Sequence, residues 1–177
     1  TVTDMFPYAE PFAGLNYIRN SVKVVIDAYD GTVDFYITDP ADPLLLTYAQ
    51  IFPGLFKPLA SMPEGIAPHL RYPESFLALQ ARVYATYHML DPVVFYNRED
   101  FWQIPNEKYG GEYQPVEPYY TILQLPGSED PEFALILPFT PSRKDNMIAW
   151  MAGRCDGDNY GELLVYLFPK DRVIFGP

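Results

Sequence analysis

Cysteine and histidine are nearly missing from this sequence: Cys155 is the one thiol, and His69 and His88 are the two imidazoles, in 177 residues. A single cysteine excludes an internal disulfide framework and a cysteine-based zinc site, and it leaves the redox compartment open. Positive charge is also scarce. Lys plus Arg number 12 against 23 Asp plus Glu, for a formal charge of −11. That balance argues against nucleic acid and against an anionic membrane surface as partners, since both call for a basic patch. The longest apolar stretch, Phe133 to Phe139, falls far short of the roughly 18 residues that cross a bilayer. Thr1-Val-Thr-Asp has no charged start and no apolar run behind it, so no signal peptide is expected. Without an initiating Met, the chain is expected to be a piece of something larger. No G-x-S-x-G elbow, glycine-rich phosphate loop or G-x-G-x-x-G occurs.

Proline is abundant, at 19, and tyrosine stands at 15. With 49 % apolar and 20 % charged residues the chain has an ordinary globular mix, and its length predicts one domain over 1–177. Residues 1–20 read as an irregular lead carrying Phe6, Tyr8, Phe12, Leu15 and Tyr17. With no helical or strand period, these side chains need a surface to lie on, either this domain or one beyond it.

Asp30-Gly31 lies between two alternating runs, Val22–Tyr29 and Thr32–Thr38. Asp-Gly is a strong hairpin signal, because a tight turn there needs positive φ. Counting outward from a two-residue turn pairs Asp27 with Asp34 and Ile26 with Phe35. It gathers Val24, Ile26, Ala28, Val33, Phe35 and Ile37 on one apolar face, the predicted core face. Asp42 with Pro43 predicts a helix start, and Pro53-Gly54 its stop. A proline-punctuated stretch runs on to Arg71. Pro73 to Leu90 predicts the longest helix, with a stripe of Phe76, Leu79, Val83, Tyr87 and Leu90 widened by Leu77 and Tyr84. Gln80 falls inside that stripe and should have a buried partner. Asn97 and Asp100 resemble a capping box, which predicts a short helix over Phe101-Trp102.

From Pro115 the period changes to that of strands. Glu117–Leu125, Glu132–Phe139, Met147–Cys155 and Glu162–Phe168 predict an antiparallel meander, although Met147–Ala152 also fits a helix. The expected class is therefore α+β: one antiparallel sheet shared by hairpin and meander, with the long helix packed on one face.

Several constellations are candidates for chemistry. Asp27 and Asp34, opposed in the predicted register, would repel unless something neutralises them. They read as a site for a divalent cation, or as a solvated face with Lys23 or Arg19 nearby. Asp156-x-Asp158-x-Tyr160-Gly161 begins like a calcium loop, but Tyr160 and Leu167 stand where ligands are needed, so a strand turn is the simpler reading. His88 and Asp91 have the spacing of two ligands on one helix face, with no third ligand to join them. Cys155 with His88 could form a nucleophile and base only through the fold. His88, Arg98 and Trp102, in and near the aromatic segment Tyr96–Trp102, are candidate ligand-binding residues for a sugar or peptide. A helix start with a packed Trp explains the same segment.

Longer stretches carry a resemblance: Gly14-Leu-Asn-Tyr-Ile-Arg-Asn-Ser-Val-Lys-Val-Val25, Ile51-Phe-Pro-Gly-Leu-Phe-Lys-Pro58, His69-Leu-Arg-Tyr-Pro73, Val94-Phe-Tyr-Asn-Arg-Glu-Asp100, and Leu137-Pro-Phe-Thr-Pro141 with Asp145-Asn-Met-Ile-Ala-Trp150. Together they resemble uncharacterised protein family 0182, large bacterial membrane proteins. The resemblance covers nearly all of the chain. It implies a multi-pass protein with its transmembrane helices N-terminal to this section, and membrane association through that missing part. It brings no catalytic residues to carry over. The expectation is a soluble, extracytoplasmic section of a cell-membrane protein, serving as a structural or protein-interaction module and not as an enzyme. Its expected partner is the rest of its own full-length chain or another envelope protein, and no cofactor is expected. The alternative is a cation- or ligand-binding domain, or a hydrolase acting on cell-envelope material. That alternative requires Asp27, Asp34, His88 and the Arg98–Trp102 segment to converge in one pocket.

Overall fold

The computed structural model of the protein describes residues 1–9, 11–12 and 14–176; Glu10 and Ala13, within the predicted lead, and Pro177 lie outside the described residues. The chain is α+β with mostly antiparallel pairing, and it divides into two compact units, Thr1–Leu70 and Arg71–Pro177.

In the first unit the aromatic lead lies partly on its own chain. Strand β1 (Val2–Thr3) pairs antiparallel with β2 (Tyr17–Ile18), and the Phe6 ring stacks on Tyr17 at 4.8 Å. The Asn16 side-chain amide donates to the Phe6 carbonyl at 2.7 Å and its oxygen accepts the Phe6 N–H at 2.9 Å.

The predicted hairpin forms from β3 (Val22–Ile26) and β4 (Val33–Ile37), but its register is shifted by two residues: Val25 faces Asp34 and Ile26 faces Val33. Asp27 causes the shift. Its carboxylate accepts the Tyr29 N–H at 2.7 Å, its N–H donates to the Thr32 carbonyl and its own carbonyl accepts from Gly31. The loop is thereby widened to Ala28–Gly31, with Gly31 at φ +75°. An even shift preserves the faces, so the apolar face stays together but the Asp27–Asp34 opposition disappears.

Helix α1 (Pro43–Ile51) starts as predicted, with the Asp42 carboxylate accepting the Leu44 N–H at 3.0 Å. Strand β5 (Phe56–Pro58), hidden in the proline-punctuated stretch, then adds parallel to β4, with Phe35 beside Phe56.

The predicted core face of the hairpin is the open one. Val24, Ile26 and Val33 are 50 %, 65 % and 43 % exposed, while Tyr36, on the opposite face, is 2 % exposed. Leu45 and Met62 are the other buried apolar side chains among the described residues of this unit.

The second unit begins with α2 (Glu74–Tyr87), which stops short of the predicted Leu90. Asp91 caps a second helix, α3 (Pro92–Asn97), by accepting the Val93 and Val94 N–H groups at 2.8 and 3.1 Å. Arg98, in the left-handed region at φ +53°, ends it. The helix predicted over Phe101-Trp102 is instead a strand, β6 (Trp102–Gln103). A ribbon of β7 (Asn106–Tyr109) and β8 (Glu112–Pro115) follows.

The meander is then β9 (Tyr119–Leu123), β10 (Glu132–Pro141), β12 (Ala149–Arg154) and β13 (Leu163–Leu167), hydrogen-bonded in that order. Strand β6 pairs the far end of β10, and β11 (Asn146–Met147) pairs β14 (Ile174–Phe175). Among the described residues the meander is a sheet of its own, and no strand pairing joins it to the hairpin in the predicted shared sheet.

Helix α2 packs against β10, β12 and β6 through a face rotated from the predicted stripe: Phe76, Leu77 and Tyr84 lie on the core as expected, whereas Val83, Tyr87 and Leu90 do not. Leu77, Ala81 and Ala85 are buried against Leu135, Leu137, Phe139, Ala149 and Met151. Val83, Tyr87 and Leu90 are 46 %, 67 % and 94 % exposed, and Gln80 is only half-buried. The two alanines let the helix sit close to the sheet, which a stripe of large side chains would prevent. Gly153 serves a similar purpose, because a Cβ there would stand 2.8 Å from Cγ of the Tyr72 ring.

Candidate functional site

Asp27 and Asp34, the candidate cation ligands, do different jobs. Asp27 organises the hairpin loop. Asp34 pairs with Lys57 Nζ at 2.6 Å and accepts from the Tyr36 hydroxyl at 3.2 Å. The Lys57 ammonium holds the Asp34 carboxyl below its ordinary range. Among the described residues no group of three or more His, Cys, Asp or Glu side chains could hold a metal ion.

The calcium-like segment is a strand turn. The Asp156 carboxylate accepts the Phe133 N–H at 2.6 Å, and Gly157 and Gly161 have φ of +57° and +90°. Cys155 is buried, with Sγ accepting the Tyr72 N–H at 3.4 Å, and burial pushes its thiol up. Asp91 is occupied as a helix cap.

The second unit does bring together His88 and Trp102. Where α2 runs out, the His88 ring lies on the Trp102 indole, with centroids 3.7 Å apart. Tyr84, one turn earlier, meets the indole edge-on at 6.0 Å. The His88 side chain is 7 % exposed and Trp102 is 6 % exposed. His88 Nδ1 lies 3.1 Å from the Tyr84 carbonyl, which can only accept, so Nδ1 donates there and Nε2 is the ring nitrogen left without a hydrogen bond.

His88 Nε2 and Trp102 Nε1 are both buried without a hydrogen-bond partner, and an Asp100 carboxylate oxygen lies 3.9 Å from Nε2. Both residues line a cavity of about 420 Å³. Its walls include Ile148, Leu167 and Phe168, and its charged groups are Asp100, Lys144, Lys170 and Arg172. Arg98, the third candidate, does not line it and is exposed at the end of α3. Sequence reasoning missed Lys144, Lys170 and Arg172, which reach the cavity from the β10–β11 turn and the segment after β13. Only the fold brings those separate stretches together.

The model of the uncharacterised protein family UPF0182 matches residues 1–177. The chain belongs to this family. It is 60 % identical to a UPF0182 protein of Pelotomaculum thermopropionicum, covering 100 % of this chain and 20 % of that protein. Identity is 57 % with a UPF0182 protein of Geobacter sulfurreducens, at 100 % and 20 % coverage. It is 56 % with one of Nostoc sp., at 99 % and 18 %. This UPF0182 section therefore spans about a fifth of the length of its relatives. No solved structure matches the chain.

Proposed function

We propose that this UPF0182 section is a structural and interaction module of a larger membrane protein, held outside the lipid on the extracytoplasmic side. Its partner is another segment of the same long chain. The observation that carries this reading is the open face of the sheet β3–β4–β5. Pairing puts Val22, Val24 and Ile26, Val33, Phe35 and Ile37, and Phe56 and Pro58 on one side. No charged group is among them and none is buried, whereas Lys23, Asp34 and Lys57 all lie on the other side. A contiguous apolar face of this kind marks an interaction surface.

The remaining four-fifths of the relatives' length supplies an occupant that is present at high effective concentration. Covering the exposed parts of Val24, Ile26 and Val33 would contribute about 1 kcal/mol each, roughly 3 kcal/mol together. No helix among the described residues is long and apolar enough to cross a membrane. The −11 balance also disfavours lying on an anionic bilayer.

Radical footprinting of a full-length UPF0182 protein tests the docking. Val24, Ile26 and Val33 should label far more slowly than Leu90, which is 94 % exposed. Labelling at the rate of Leu90 refutes the reading. Protection that appears only on dimerisation, or only with a second envelope protein present, gives the face to that occupant instead. For location, a Tyr29→Cys variant, at a fully exposed position, should react with a membrane-impermeant maleimide in intact cells. Reaction only after lysis would place the section on the cytoplasmic side.

A further inference from the structure

We propose that the cavity beside His88 and Trp102 binds a small organic anion: a carboxylate or phosphate group carried on a compact apolar body. Two observations point there independently.

The first is the pair of orphaned nitrogens. Trp102 Nε1–H can only donate. His88 Nε2 donates to an oxyanion on the charged ring and, on the neutral ring, accepts from the hydroxyl of a singly protonated phosphate or a carboxylic acid. Both belong to side chains more than nine-tenths buried on residues that line the cavity, and neither nitrogen has a hydrogen-bond partner. Buried polar groups without partners are rare in folded proteins, and each calls for something to satisfy it.

The second is charge. The chain has 12 Lys and Arg against 23 Asp and Glu, yet Lys144, Lys170 and Arg172 stand against one acid, Asp100, around this cavity. Among the described residues the side chains of these three cations make no ion pair or hydrogen bond. Cations collected on one cavity wall of an otherwise acidic chain, with an indole among the same lining residues, form a receptor for an oxyanion. The walls fix the rest of the ligand. Tyr84, Ile148, Leu167 and Phe168 offer apolar and aromatic surface, and about 420 Å³ is the size of a small-molecule site.

The test is a titration of the 15N-labelled chain with benzoate and with phenyl phosphate. The chain has two indoles, and a Trp150→Phe variant assigns the remaining N–H signal to Trp102. Trp150 stacks on Tyr166 outside the cavity, so its indole serves as the folding reference.

The expected result is a saturable shift of the Trp102 N–H signal, at a dissociation constant of about 1 mM or tighter. A Lys144→Ala, Arg172→Ala double variant should weaken binding roughly tenfold or more, with the Trp150 signal unmoved. Benzyl alcohol should not bind.

Several results would overturn the proposal. These are no saturable shift with either anion, equal binding of benzyl alcohol, or binding unchanged in the double variant. Inorganic phosphate binding as tightly as phenyl phosphate would remove the apolar body from the ligand. Dihexanoyl phosphatidic acid binding well above phenyl phosphate would assign the oxyanion to a lipid headgroup in place of a free metabolite. Equilibrium dialysis of 14C-benzoate against the purified full-length protein, native and double variant, repeats the comparison independently of how the isolated chain folds. Equal retention by the two would refute the site. The outcome is separate from that of the sheet-face footprinting, since none of the sheet's residues line the cavity.

Discussion

Replacing Asp42 should unfasten the first unit. Its carboxylate is fully buried and accepts from the hydroxyls of Thr1, Ser21 and Tyr17, the last at 2.8 Å, and from the Leu44 N–H at 3.0 Å. One side chain thus joins the N-terminus, β2, the start of β3 and the start of α1. Burial alone would push the carboxyl up; the donated hydrogen bonds outweigh it and bring it down to about 2 from an ordinary 3.8. That difference corresponds to roughly 2.5 kcal/mol of folding stability at neutral pH. The folded value lies below the unfolded one. The contribution is therefore complete above about pH 4 and is lost as pH falls through about 2.

Asp42→Ala removes the helix cap, worth about 1 kcal/mol. It also strands the Ser21 hydroxyl, itself 0 % exposed, and the Tyr17 hydroxyl. The total should be about 4 kcal/mol. Both tryptophans lie in the second unit, so indole fluorescence is a poor reporter. Amide hydrogen exchange over Pro43–Ile51 reads the effect directly and should accelerate by a factor of about 1,000. Asp42→Asn keeps the cap but should flatten the acid dependence of that exchange between about pH 4 and pH 2. An Asp42→Ala chain whose α1 amides exchange at the native rate would refute the reasoning. So would an Asn variant that keeps the full acid slope.

Gly153→Ala drives a methyl into the Tyr72 ring. It should cost about 2 kcal/mol in urea unfolding followed by fluorescence, and much less in a Tyr72→Leu background. Arg154 grips Glu132 through two nitrogens and also reaches Glu162, with the Arg154 and Glu132 side chains 14 % and 12 % exposed. Arg154→Ala should therefore cost about 3 kcal/mol by the same assay, and more than Glu132→Gln, because it leaves a carboxylate buried without its cation. Cys155 should resist a thiol reagent at pH 8 in the native protein and react fully in urea; equal rates would show that the thiol is not in the core.

The sequence announced local structure where one residue decides it. Asp42-Pro43 starts α1, and Asp30-Gly31 marks a hairpin loop. The hairpin register was not legible, because Asp27 caps its own loop and widens it, a side-chain choice invisible to strand alternation. The α2 face is legible only in part, for a reason of volume: Phe76, Leu77 and Tyr84 mark its core side, whereas Val83 and Tyr87 do not. Hydrophobicity weights Val83 and Tyr87 above Ala81 and Ala85, whereas a helix lying close on a sheet selects the alanines. The sequence around Trp102 suggests a packed or ligand-facing residue next to a helix start. It is buried, but in a strand, since Asp91 captures the helix start upstream. His88 and Trp102 were both candidates, but the cations facing them were not. Lys144, Lys170 and Arg172 come from turns whose positions depend on the pairing of β10, β11, β13 and β14.

The hairpin also shows where an amphipathic pattern misleads. Alternation says that a strand has an apolar side, and from this the core side is inferred. In the first unit the inference fails. Tyr36 is buried from the mixed face, where its hydroxyl donates to Asp34 and Lys57 neutralises that carboxylate. The aliphatic face has no such partners and stays open. A sequence that only had to keep this unit folded would gain solubility by placing Lys or Glu at Val24 or Ile26, at little energetic cost on an exposed strand surface. The aliphatic side chains of Val24, Ile26 and Val33 make sense if that face is covered in the long protein. On the same reasoning, the orphaned nitrogens of His88 and Trp102 make sense if a ligand satisfies them. Each unsatisfied group costs about 1–3 kcal/mol, against a total stability of only about 5–15 kcal/mol for a domain. The residue types at the two places, aliphatic on the sheet and cationic around the cavity, match the apolar chain segment and the anion proposed for them.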